Sequence, residues 1–194
     1  VRDIKWTGGA GHHYRLRIGD FPDVTAAYPL GVKRGGSATV SFSGAHTDGV
    51  ESVKLQLPAD SPLEWLTIGA KRAGGKSSGL VTLAVSNSDE VIETEPNDSR
   101  DKATRVPLGS NLNGQFNKAG DVDHFVISAK KGQKFTFTGI TRRVGSPAAV
   151  YLRLLNAEGG KVAEVLDLGI NDSAISYTFP ADRSEENTAE LQSQ

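Results

Sequence analysis

The sequence predicts an all-β protein in which a small immunoglobulin-like β-sandwich precedes a jelly-roll-like antiparallel β-sandwich. Apolar and polar residues alternate with a period of two from one end of the chain to the other, which places alternate side chains on one face of a strand. The 194 residues include 22 glycines, as expected for many short strands joined by tight turns. This pattern leaves little room for a continuous helix.

Each strand is predicted where apolar residues alternate with polar neighbours, so that one face is buried. In chain order these segments are residues 14–18, 38–42, 53–57, 81–85, 135–137, 150–154 and 175–179. Turns are predicted between them at Gly35-Gly36, Gly74-Gly75, Lys131-Gly132 and Gly159-Gly160, because glycine adopts the positive φ that tight turns need.

The chain is interpreted as four parts, with the main boundary where the alternation stops, in residues 86–92. Residues 1–21 are read as a strand pair, and residues 22–90 as the small sandwich with Trp65 as its large core aromatic. Residues 93–182 form the second sandwich. Residues 183–194 are polar and lack periodicity, so a disordered tail is predicted there.

Composition excludes several classes of function. The chain has 22 Lys and Arg against 23 Asp and Glu, so there is no basic field for nucleic acid or anionic lipid. It has no cysteine, which excludes thiol nucleophiles and zinc-thiolate sites. No apolar run reaches the roughly 20 residues that cross a bilayer, so no membrane span is predicted.

Several blocks after position 92 resemble the bacterial pre-peptidase C-terminal family, which accompanies secreted bacterial peptidases and many large surface proteins. They are residues 93–99 (ETEPNDS), 120–125 (GDVDHF), 129–133 (AKKGQ), 154–159 (LLNAEG) and 175–182 (ISYTFPAD). The resemblance implies an antiparallel jelly-roll-like sandwich and a secreted or cell-surface location. It does not fix the function, which varies across the family.

The resemblance fails after residue 182, where the family continues into two closing strands. Residues 1–18 resemble such a closing pair. One interpretation is that the chain starts inside one such domain and stops inside another. The alternative is that residues 1–18, with their strand at residues 14–18, complete the domain of residues 93–182, within the chain or between copies by strand addition, which predicts self-association.

The acidic residues of the second part form the best candidate site. Calcium binds hard oxygen donors, and six such side chains occur in two short segments: Glu93, Glu95, Asn97, Asp98, Asp121 and Asp123. The related collagen-binding domains of bacterial collagenases hold calcium with a similar acidic linker and Asp pair, although one of their ligands would fall near Gly120 here. The alternative is structural, with these side chains capping turns.

Other motifs carry weaker signals. Residues 75–79 (GKSSG) match the nucleophile-elbow spacing, but a strand follows where that motif needs a helix, so a turn is favoured. The four histidines lack the spacing of a zinc site, and His124 is expected at the surface. Tyr151, Arg153 and Tyr177 could face a saccharide or an extended peptide, although packing is the more common role of strand aromatics.

The sequence therefore predicts a non-catalytic binding or spacer module of a larger bacterial secreted or cell-surface protein. Expected partners are a polysaccharide or protein at the cell surface and neighbouring domains of the parent. Two alternatives remain: a structural subunit of a fibre or layer built by strand exchange, and an accessory region of a secreted peptidase or other hydrolase. No nucleophile, base and orienting group can be assembled from recognisable motifs, so no enzyme activity is predicted.

Overall fold

The protein was analysed as a computed structural model, which describes residues 1, 3–75, 79–166, 173–180 and 183–193. In this part of the chain there are 15 strands and two short 3₁₀ helices, Arg100–Lys102 and Arg142–Val144. The prediction of an all-β sandwich fold is confirmed. Among the described residues, no helix has the length and apolar character needed to span a membrane.

The first sandwich consists of two three-stranded sheets. Its strands are β1 (Val24–Tyr28), β2 (Gly31–Lys33), β3 (Ser37–Gly44), β4 (Val53–Gln56), β5 (Trp65–Ala70) and β6 (Gly79–Ser86). The strand order is β1-β3-β4 in one sheet and β2-β6-β5 in the other. Ala27 and Val40 of the first sheet pack with Ile68, Val81 and Leu83 of the second, so the alternating apolar faces of both sheets form one core.

The second sandwich contains the remaining strands. They are β7 (Glu90–Ile92), β8 (Thr104–Arg105), β9 (Asn111–Asn113), β10 (Val122–Ala129), β11 (Lys134–Gly139), β12 (Val150–Leu155), β13 (Lys161–Leu166), β14 (Ser173–Thr178) and β15 (Arg183–Ser193). A five-stranded sheet has the order β13-β12-β15-β10-β8, while β11-β14 and β7-β9 are separate pairs. Phe125, Leu152 and Leu154 of the large sheet pack with Ile175 and Phe179.

Residues 183–193 correct the prediction of a disordered tail, because they form β15 in the middle of the large sheet. This strand pairs antiparallel with β10 on one side and with β12 on the other. A central strand satisfies its backbone donors and acceptors on both sides whatever its side chains are. Polar composition was therefore the wrong guide to the structure of this segment.

The N-terminal segment corrects a second prediction, because residues 1 and 3–23 contain no strand. Tyr14, Leu16 and Ile18 are exposed to 75%, 59% and 89% instead of docking on the second sandwich. The position that this segment was expected to fill, within the chain or between copies, belongs to β15. Because β15 fills this position, the sheet does not need a strand from a second copy, which was the reason for predicting self-association.

Two side chains also differ from expectation. Trp65 is 39% exposed at the start of β5, so the first core is filled by aliphatic residues such as Val40 and Leu83 rather than by this aromatic. His124, expected at the surface, is buried. It lies in β10, where residues on both faces are buried, so period two does not show which side is exposed.

The boundary near residue 90 is structured rather than free. β7 pairs in parallel with β9, and Val91 packs against the second core. The Glu90 carboxylate accepts hydrogen bonds from Asn111 Nδ2 and Asn113 Nδ2, both at 2.8 Å. A Cβ on Gly31 of the first sandwich would lie 2.9 Å from Glu90 Oε1, so this position favours glycine.

Candidate cation site

The candidate site lies where the chain leaves β7 and runs beside β9 and β10. The Glu93 amide donates to the Asn113 carbonyl at 3.0 Å, which extends the β7-β9 pairing by one residue. Four residues later, the Asn97 carbonyl accepts the amide of His124 at 3.0 Å. These two backbone bonds bring the acidic segment against Asp123, which is buried in β10.

Three carboxylates converge there. Glu93, Glu95 and Asp123 each offer an oxygen, and these oxygens lie within 4.8 Å of one another. Asn97 Nδ2 lies 3.4 Å from Glu93 Oε2. The Asn97 side chain is fully buried, and one end of its amide faces Asp123 Oδ1 and Glu95 Oε2. The site therefore gathers four oxygen-bearing side chains around one centre.

The Asn97 amide can serve the cluster in two ways. In one orientation its oxygen adds a further ligand to those of the carboxylates. With the amide turned over, its nitrogen donates to Asp123 Oδ1 at 3.2 Å and to Glu95 Oε2 at 3.1 Å. The second orientation relieves part of the repulsion between the carboxylates when no cation is bound, and the first offers an oxygen to a cation.

The electrostatics of the cluster show that its carboxylates repel one another. Burial raises the pKa of Asp123 to about 7, and the nearby charges of Glu93 and Asp121 contribute to this shift. Burial also raises the pKa of Glu93 to about 6, with Glu95 adding to the shift, although the Gln115 amide opposes it by donating to Glu93. A cation at the centre would reverse these effects by favouring the charged carboxylates.

The other two predicted ligands lie to one side and are held by Lys118. Its ammonium group lies 2.5 Å from Asp98 Oδ1 and 3.4 Å from Asp121 Oδ1. The hydrogen bond from Lys118 lowers the pKa of Asp98. Asp121 Oδ2 also accepts the Asn117 amide at 2.6 Å. The structure thus assigns four of the six residues to the convergent centre and two to an ion pair beside it.

Several residues that complete the site were not singled out from the sequence. The Gln115 amide donates to Glu93 Oε1 at 2.5 Å, and Asn117 Nδ2 donates to Glu95 Oε1 at 2.8 Å. A Cβ on Gly114 would lie 2.9 Å from Glu93 Oε2 and 3.6 Å from Asp123 Oδ2. The sequence offered one signal for the ion pair beside the site. Lys118 precedes Asp121 by three residues, in a turn that ends at Gly120.

The first sandwich reaches the same place through Tyr28. Its hydroxyl donates to the Asn113 carbonyl at 3.2 Å, and the Leu30 amide donates to Asn113 Oδ1 at 2.8 Å. Burial, followed by the charges of Glu93 and Asp123, raises the pKa of Tyr28 to about 12. The Tyr28 phenol is therefore close enough to the Glu93 and Asp123 carboxylates for their charges to affect its pKa.

Within the part of the chain that the structure describes, the remaining candidates do not form a second centre. Tyr151 donates its hydroxyl to Glu164, and the Arg153 guanidinium lies 5.1 Å from the Tyr151 ring centroid, so these residues are organised among themselves on the sheet. Tyr177 packs edge-on against Phe179 at a centroid distance of 5.1 Å, as core packing requires. Residues 76–78 of the glycine-rich motif lie outside the described residues.

A scan against models of protein families and a search of curated proteins each give no match to this chain.

Proposed function

We propose that the chain is a non-catalytic, extracellular binding or spacer module whose second sandwich holds a calcium ion. Glu93, Glu95, Asn97 and Asp123 would bind the ion, and water would complete the roughly six to eight oxygen ligands that calcium takes. The observation that carries the proposal is the convergence of the three carboxylates within 4.8 Å. The fully buried Asn97 amide, which reaches Asp123 Oδ1 and Glu95 Oε2, supports it.

The chemistry of the donor set favours calcium over softer metals. All four side chains offer oxygen, and the chain has no cysteine. The Lys118 ammonium group is engaged with Asp98 and Asp121, beside the three convergent carboxylates. Burial, together with the charges of neighbouring carboxylates, raises the pKa values of Glu93 and Asp123, and a divalent cation would oppose both effects by favouring the charged carboxylates.

The wider proposal follows the resemblance of residues 93–182 to the pre-peptidase C-terminal family. We place the module outside a bacterial cell, within a larger secreted or surface protein, where calcium is available at the concentrations that extracellular modules use. Its partners would be neighbouring domains of the parent protein and a polysaccharide or protein at the cell surface.

Isothermal titration calorimetry with calcium tests the proposal directly. We expect a heat of binding for the parent protein and a higher melting temperature in calcium than in EDTA. Asp123→Asn keeps the shape but removes a ligand charge, so it should lose both effects. The matched control is Asp98→Asn, which changes the same residue type beside Lys118 and should retain them.

The opposite result has a clear meaning. If the parent protein shows no heat of binding and no shift in melting temperature, the acidic residues only organise turns, and the calcium proposal is wrong.

A further inference from the structure

One contact between the two sandwiches passes through Asn113, which is 3% exposed. Its carbonyl accepts two hydrogen bonds: one from the Glu93 amide of the cation site and one from the hydroxyl of Tyr28 in the first sandwich. Its side chain is held as well, because Oδ1 accepts the Leu30 amide and Nδ2 donates to Glu90. Two of these four bonds come from the first sandwich.

We propose that Tyr28 is a positioning residue for the cation site, so that the first sandwich completes a site whose ligands all lie in the second. This inference rests on the proposed calcium site. Asn113 fixes the Glu93 backbone, and two residues further along the Gln115 amide fixes Glu93 Oε1. A displacement of Asn113 therefore moves both the backbone and a carboxylate oxygen of one ligand.

The coupling between the two sites is reciprocal. If docking of Tyr28 raises the affinity for calcium, bound calcium strengthens the docking of Tyr28 by the same factor. Calcium would then act on the junction between the sandwiches as well as on the second sandwich itself. The chain gains a cation-dependent joint, because one ligand, Glu93, donates its amide to the same Asn113 carbonyl that accepts the Tyr28 hydroxyl.

The test compares calcium titrations of the parent protein, Tyr28→Phe and the control Tyr151→Phe. Both variants remove one tyrosine hydroxyl, but Tyr151 donates to Glu164 on the sheet. We expect Tyr28→Phe to raise the Kd for calcium about two- to tenfold, the range that the loss of one hydrogen bond produces. We expect Tyr151→Phe to leave the Kd unchanged.

Melting in EDTA separates positioning from simple stabilisation. A Tyr28→Phe protein that melts lower in EDTA but binds calcium with the parent affinity would show a structural role only, and it would overturn this inference while leaving the calcium site intact. An absence of binding by the parent protein would overturn the proposed function and this inference together. A smaller calcium-induced shift in melting temperature for Tyr28→Phe than for the parent supports the coupling.

Discussion

Phe125 of β10 and Leu154 of β12 pair with the same residue, Ala189, from opposite sides of β15. The two strands are therefore not neighbours in the sheet, and each depends on the strand between them. Both side chains are buried in the second core, at 1% exposure each. The integrity of this core is tied to a segment whose composition alone predicts disorder.

A chain that ends at residue 182 should lose most of the stability of the second sandwich. Without β15, the facing edges of β10 and β12 have no partner, and folded proteins avoid such unpaired edges. We expect a lower melting temperature and aggregation on size-exclusion chromatography.

Deletion of residues 1–18 is the control for this truncation. Residues 1 and 3–18 contain no strand and expose large apolar side chains, so removal of the segment should leave the melting temperature unchanged. If the N-terminal deletion destabilises the protein more than the C-terminal one, the role assigned to β15 is wrong.

The stability of the calcium-free protein should depend on pH through Asp123 and Glu93. Folding raises the pKa of Asp123 from 3.8 to about 7 and that of Glu93 from 4.5 to about 6. The folded state therefore binds more protons than the unfolded state between these values, and the free energy of unfolding falls as pH rises from about 4 to 7. Above about pH 7, the free energy of unfolding no longer falls through these two groups.

Asp123→Asn isolates this dependence, because asparagine imitates the protonated acid. In EDTA, the stability of the parent relative to this variant should fall from pH 4 to pH 7, as measured by urea unfolding. Saturating calcium should abolish the fall, since the cation favours the charged carboxylates. A difference between the two proteins that is constant with pH would contradict the assignment.

Gly114→Ala should weaken calcium binding with little effect on the fold. The new Cβ would lie 2.9 Å from Glu93 Oε2, and the end of a glutamate side chain can move away without disturbing the backbone. The carboxylate then leaves the position that the ligand set requires. We expect a higher Kd by calorimetry and an unchanged melting temperature in EDTA. Gly11→Ala, which meets no atom within 4 Å, is the control.

The junction between the sandwiches should resist limited proteolysis, although the sequence alone places the main domain boundary in residues 86–92. β7 is paired with β9, and Glu90 holds Asn111 and Asn113. Glu90→Ala removes both of these hydrogen bonds, so it should expose the junction and release a fragment beginning near Glu93, identified by mass spectrometry. Equal rates of cutting at the junction in the parent protein and in Glu90→Ala would contradict the role given to these two hydrogen bonds.

The sequence predicts those strands of the fold that bury only one face. Residues 81–85 and 135–137 alternate cleanly and lie in β6 and β11. β10 is missed because both of its faces are buried, so its apolar and polar residues need not alternate: Asp123 and His124 are adjacent and both buried. β15 is missed because its composition is polar. The opposite error occurs at residues 14–18, which alternate cleanly but have no partner strand. Periodicity shows that one face of a segment is apolar, but it does not show whether another strand pairs with that segment.

The candidate site is predictable only in its local part. Glu93, Glu95, Asn97 and Asp123 carry the right donor chemistry and are brought together as expected. Composition could not show that Lys118 forms ion pairs with Asp98 and Asp121 beside the convergent centre, because an ion pair depends on loop geometry. Tyr28 lies 85 residues from its acceptor Asn113, a separation that no local pattern bridges.

The central position of β15 sets an order of assembly during synthesis. The first sandwich has all six of its strands by Ser86, so it can fold as soon as that stretch of chain is available. The second sandwich cannot close its large sheet until residues 183–193 reach the gap between β10, which begins at Val122, and β12. Contacts this distant in sequence form slowly. Until then, β10 and β12 present open edges, and the first sandwich is a finished surface against which the later half can assemble.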